Sequence, residues 1–132
     1  MSQLETYTTL SALWLALAWL PYLLDRIMVR GLIGAMANYD PAAPPQSPWA
    51  QRAMRAHRVA VEAFIGFAPL ALIAMMRLHD DPYPGILAMT WFYAMLAHYI
   101  IYCLGITVIR TLAFVLAFAA TVALALRLLS MI

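Results

Sequence analysis

Arg55, Arg58 and Glu62 are spaced i, i+3 and i+7, so on a helix they share one face about two turns long. Glu62 lies inside an apolar stretch, where an ionisable side chain is costly unless it is paired or reached by water. Arg55 and Arg58 are the donors available to it on its own helix. Further along, His98 and Tyr102 stand at i and i+4. Arg110 follows across the Gly105 turn, and Arg30 ends the first apolar run with Arg26 one turn earlier. A cationic cluster joined by a carboxylate, a phenol and an imidazole could hold an anionic, peptide-like molecule. The same groups have plainer roles open to them. Arg58 with Glu62 can be a structural ion pair. His98 can bind a backbone carbonyl between helices, and Tyr102 can anchor a span at the interface. Arg26, Arg52, Arg77 and Arg127 suit snorkelling to headgroups. His57 and His79 read as interfacial residues, and Cys103 as a small buried one, with no base on its own helix face.

The elements that must position these residues are membrane helices. Of the 132 residues 66% are apolar and 11% charged, against about 45–50% and about 25% in a soluble domain. A chain this short cannot hide so much apolar surface from water, and its mean hydropathy is +0.84. An ordinary soluble domain and a disordered chain are both excluded. A net charge of +2 with no basic run gives no reason to expect nucleic acid. All eight basic residues are arginine, whose planar fork binds carboxylates in bidentate fashion. The single cysteine excludes an internal disulfide and a cysteine-based metal cluster, and no metal is expected.

A span needs roughly 20 apolar residues. Four are expected, over about 7–37, 49–78, 86–104 and 108–131, in a single domain covering 1–132. Glu5 precedes the first run and no Lys or Arg does, so it reads as a retained helix and not a signal peptide. Four of the eight prolines fall within residues 38–48, which makes that stretch a loop. Ser47 before Pro48 resembles a helix cap. Trp49, Trp91 and the tyrosines near span ends fit interfacial anchors. Arg26, Arg30, Arg52, Arg55, Arg58 and Arg110 fall on one side of the membrane, Arg77 and Arg127 on the other. The positive-inside rule then puts the arginine-rich side in the cytoplasm and both termini outside, with a bacterial inner membrane expected. The expected fold is an all-α, integral-membrane four-helix bundle of up-down topology.

The run from Arg52 to Glu62 (Arg-Ala-Met-Arg-Ala-His-Arg-Val-Ala-Val-Glu), opening a span after a proline-rich loop, resembles the membrane-associated proteins in eicosanoid and glutathione metabolism, the MAPEG family. The run from Ala97 to Phe114, with His98, Tyr102, Gly105, Arg110 and Thr111, resembles that family's second signature, above all in its small bacterial members. The resemblance covers essentially the whole chain. It implies a homotrimer with glutathione, a co-substrate here, bound between subunits on the cytoplasmic side. Arg30, Arg55, Arg58, Glu62 and His98 would form the binding set. Arg110 would stabilise the thiolate, and Tyr102 would be a second catalytic donor. A hydrophobic small-molecule electrophile or hydroperoxide would enter from the bilayer. Two positions depart from the family pattern. Val59 replaces the usual asparagine three residues before the glutamate, and Thr107 stands where many relatives have proline. The family also contains a non-catalytic lipid-binding member, so the alternative is a membrane lipid-binding or scaffold protein of the same fold.

Overall fold

Every regular element of the computed structural model, which describes residues 1–132, is a helix. They are α1 (Gln3–Leu17), α2 (Leu20–Met36), α3 (Pro48–Arg77), α4 (Tyr83–Cys103) and α5 (Val108–Leu128). Counting α1 and α2 as one arm, four segments are long and apolar enough to cross a membrane.

The first span begins earlier than its hydropathy suggests, because a capping box starts it. The Ser2 hydroxyl accepts from the Glu5 N–H at 3.2 Å, and the Glu5 carboxylate accepts from the Ser2 N–H at 2.7 Å. The expected continuous helix is then interrupted at Ala18 and Trp19. Pro21 supplies the reason: it has no N–H for the carbonyl four residues back, and its ring crowds that carbonyl. Side chains from other helices take over nearby acceptors. The Leu15 carbonyl is 2.8 Å from His57 Nε2, and the Ala18 carbonyl accepts from the Tyr99 hydroxyl at 2.9 Å. A second bend falls at Gly31, whose φ of 74° lies in the left-handed region that favours glycine.

On α3, Ala50, Ala53, Ala56, Ala60, Ala71 and Ala74 are fully buried together with Phe67. This seam of small residues lets neighbouring backbones approach closely, the usual way helices associate without a hydrophobic drive from water. α4 is the central helix and packs against α1, α3 and α5. Trp91 is fully buried there, stacked on Phe67 with ring centroids 5.2 Å apart and tilted against Phe64 at 5.3 Å. It is therefore a core residue and not the interfacial anchor expected from sequence; its mid-helix position faces the α3 seam. Trp49 is exposed, as an anchor would be.

Contacts at the two ends fix the up-down order. At one end Asp25 of α2 accepts from the Ser47 N–H at 3.0 Å and from Gln46 Nε2 at 3.3 Å. The start of α3 is thus held by a carboxylate from α2, while the Ser47 side chain makes no cap bond. At the same end Arg52 Nε donates to the Cys103 carbonyl at 3.0 Å, satisfying the C-terminus of α4. At the other end Arg127 Nε donates to Asp81 at 2.7 Å and its guanidinium lies 5.5 Å from the Tyr83 ring. Arg52 and Arg127 are therefore structural, where free snorkelling was the expectation, because helix-end acceptors lie within their reach.

Candidate functional site

The end holding residues 38–47 and 104–107 collects Arg26, Arg30, Arg52, Arg55, Arg58 and Arg110. None of these six has a carboxylate within ion-pair distance. The chain's two ion pairs, His79–Asp80 and Arg127–Asp81, are both at the opposite end. The acids that could neutralise the cluster are committed or turned outward. Asp25 is buried in its bonds to Ser47 and Gln46. Asp40 accepts from the Ala42 N–H, and Glu62 is exposed. The ion pair that Arg58 and Glu62 could form along α3 is not made within the chain.

The expected site residues fall into separate groups. On α4 and α5, the Arg110 guanidinium lies over the Tyr102 ring at 4.1 Å. Tyr102 meets His98 edge-on at 5.6 Å, and His98 also faces Phe114 at 6.1 Å. The turn between the helices makes this possible. Gly105 adopts a φ of +81°, its N–H donates to the Tyr102 carbonyl, and the Ile106 N–H donates to the Ile101 carbonyl. That closure of α4 sends the chain straight into α5, so that Arg110 returns over Tyr102. His98 is 3% exposed, and its Nδ1 has no hydrogen-bond partner. The carbonyl contact between helices allowed from sequence is thus missing at that nitrogen.

On α3, Arg58 and Glu62 line an open groove of ≈ 400 Å³ together with Tyr22, Met54, His57 and Val61. Arg55 lines a smaller depression of ≈ 260 Å³ with Pro48, Gln51 and Arg52. Arg30 is drawn to the loop, its Nε donating to the Pro44 carbonyl at 2.9 Å. No hydrogen bond or ion pair joins the α3 group to the Arg110 group within one chain. Val59, at the position of the family's asparagine, packs against the hydrophobic core. Above the polar groove, Ala12, Leu15, Ala16, Val61, Phe64, Ile65, Ala68 and Pro69 line an apolar one of ≈ 560 Å³ between α1 and α3. Val61 belongs to both grooves.

His57 is the residue that sequence reasoning undervalued. Besides its bond to Leu15 it lies 2.8 Å, through Nδ1, from the Tyr22 hydroxyl. The signal was Pro21: a helix break in an apolar stretch leaves carbonyls that some polar side chain must satisfy. Comparison with curated proteins finds no match. The sequence model of the MAPEG family matches residues 4–130, and the chain belongs to that family.

Proposed function

We propose that the protein is an integral-membrane, glutathione-dependent transferase or peroxidase acting on lipophilic electrophiles or hydroperoxides. The observation that carries this reading is the set of arginines without carboxylate partners at one end of the bundle, with Arg110 resting on a phenol. Membership of a family that includes glutathione transferases and peroxidases supports it. The donor set suits the tripeptide. Arg55 and Arg58 match its carboxylates, Glu62 its ammonium, and Arg30 completes the pocket once neighbouring subunits of a trimer are brought together, with the buried His98 backing Tyr102 from within the chain. Arg110 favours the ionised form of a thiol whose unperturbed pKa is about 8.5, making it a better nucleophile at neutral pH. In this reading Tyr102, beneath Arg110, donates a hydrogen bond to the same sulfur. The apolar groove between α1 and α3 offers a route from the bilayer for the second substrate.

The test is calorimetric titration of glutathione into the purified protein, followed by ultraviolet absorbance of the thiolate. Saturable binding with a growing thiolate band is expected. The reading fails if no saturable binding is found.

Val59 favours a second reading, because its apolar side chain lies against the core and offers the ligand no amide. In that reading the protein is a non-catalytic lipid-binding or scaffold protein, and the charges of α3 tie the trimer together. Glu62→Gln then dissociates the oligomer in detergent with or without glutathione. An intact Glu62→Gln trimer that has lost glutathione binding decides for the enzyme.

A further inference from the structure

A chain of hydrogen bonds runs from the break in the first span to the wall of the α3 groove. The Leu15 carbonyl can only accept, so its 2.8 Å partner, His57 Nε2, must carry the proton. In the neutral ring Nδ1 then presents a lone pair, and the Tyr22 hydroxyl 2.8 Å away donates to it. The two rings pack with centroids 5.9 Å apart, which fixes the phenol's direction. With its only proton committed to His57, the Tyr22 oxygen has nothing but acceptor capacity left for the groove.

The groove therefore presents Glu62 and Tyr22 as acceptors and Arg58 as a donor, and Arg58 and Glu62 are not paired with each other within the chain. That pattern is complementary to the zwitterionic end of an α-amino acid. The ammonium has donors for both Glu62 and Tyr22, and the carboxylate fits the guanidinium fork of Arg58. We propose that Tyr22 is a specificity-determining residue that accepts a hydrogen bond from the ligand's α-ammonium, and that His57 is the positioning residue that keeps it an acceptor. This rests on the glutathione reading above.

The experiment compares calorimetric binding of glutathione with that of glutaryl-cysteinyl-glycine, which differs only in lacking the α-amino group. Tyr22→Phe removes the acceptor and keeps the ring. It should weaken glutathione about tenfold, the usual scale for one hydrogen bond to a charged group, and leave the glutaryl peptide unchanged. His57→Gln can still donate to the Leu15 carbonyl but releases the Tyr22 proton, so it should narrow the preference for glutathione in the same direction. Thermal unfolding of each variant in detergent separates a binding effect from a loss of fold. Equal weakening of both peptides, or no weakening of either, overturns the assignment of Tyr22. If the wild type binds neither peptide, the glutathione reading itself is lost, and this assignment with it.

Discussion

Arg110 carries its charge beside a phenol and not a carboxylate, and the choice of neighbour has a chemical consequence. A carboxylate would neutralise the guanidinium and compete with an anionic ligand. The face of Tyr102, at 4.1 Å, holds the cation by its ring quadrupole and leaves the N–H donors free. Arg110→Ala should therefore abolish the thiolate band and lower kcat about 100-fold, the order found when one preorganised donor is removed from a developing anion. Glutathione affinity should fall much less, because the proposed site assigns the tripeptide's ends to other residues. Paired measurement of the dissociation constant and kcat checks this; equal losses in both would mean that Arg110 contributes uniform binding only. Asp81, at the other end, makes a different use of an arginine. The hydrogen bond from Arg127, helped by the Tyr83 N–H, holds its carboxyl below the ordinary value of 3.8. Its folded pKa is depressed, so the stability it contributes is present above 3.8 and is lost as pH falls from there through the lowered value. Asp81→Asn should lower Tm at neutral pH and flatten the acid limb of a Tm-against-pH curve.

At the scale of elements, the sequence reveals where helices run more readily than where they break. The proline-rich loop, the Gly105 turn and the arginine-bearing ends of α3 and α5 all follow from composition and spacing. The division of the first span does not, because hydropathy averages over Ala18 and Trp19 and only Pro21 marks the change. Trp91 departs from its expected place for a related reason. Both an interfacial and a core tryptophan are compatible with an apolar run, and only the alanine seam of α3 decides between them. The site residues are legible as types, whereas their grouping is not, since α3 turns Arg58 and Glu62 outward while Arg110 of α5 lies over Tyr102 of α4. The break itself depends on borrowed donors. Tyr99→Phe leaves the Ala18 carbonyl, part of a buried residue, without its 2.9 Å partner. An unsatisfied buried acceptor costs about 1–3 kcal/mol, so the variant should unfold at lower temperature than the wild type in the same detergent. An unchanged Tm would mean that water or lipid headgroups reach that carbonyl.

For the whole molecule, only 24 of 132 residues are buried in the single chain. Large apolar side chains such as Leu112, Val115, Leu116 and Phe118 of α5 are exposed, a surface suited to lipid and to further subunits. The charge distribution along the bundle is equally one-sided. The bond from Arg52 to the Cys103 carbonyl and the hold of Asp25 on Ser47 bring six of the eight arginines to one end. Asp80, Asp81, Arg77 and Arg127 mark the other. Arginine resists translocation, so the six-arginine end is expected in the cytoplasm. The prediction can be tested with the chain's own lone cysteine removed by Cys103→Ser. In that background Ala42→Cys places a thiol in the exposed loop before α3, and Asp80→Cys places one in the exposed turn before α4. A membrane-impermeant maleimide applied to intact spheroplasts should label Asp80→Cys at once and Ala42→Cys only after permeabilisation. The reverse pattern would put the arginine cluster, and with it the proposed glutathione site, on the face away from the cytoplasm, where the tripeptide would have to be supplied from outside.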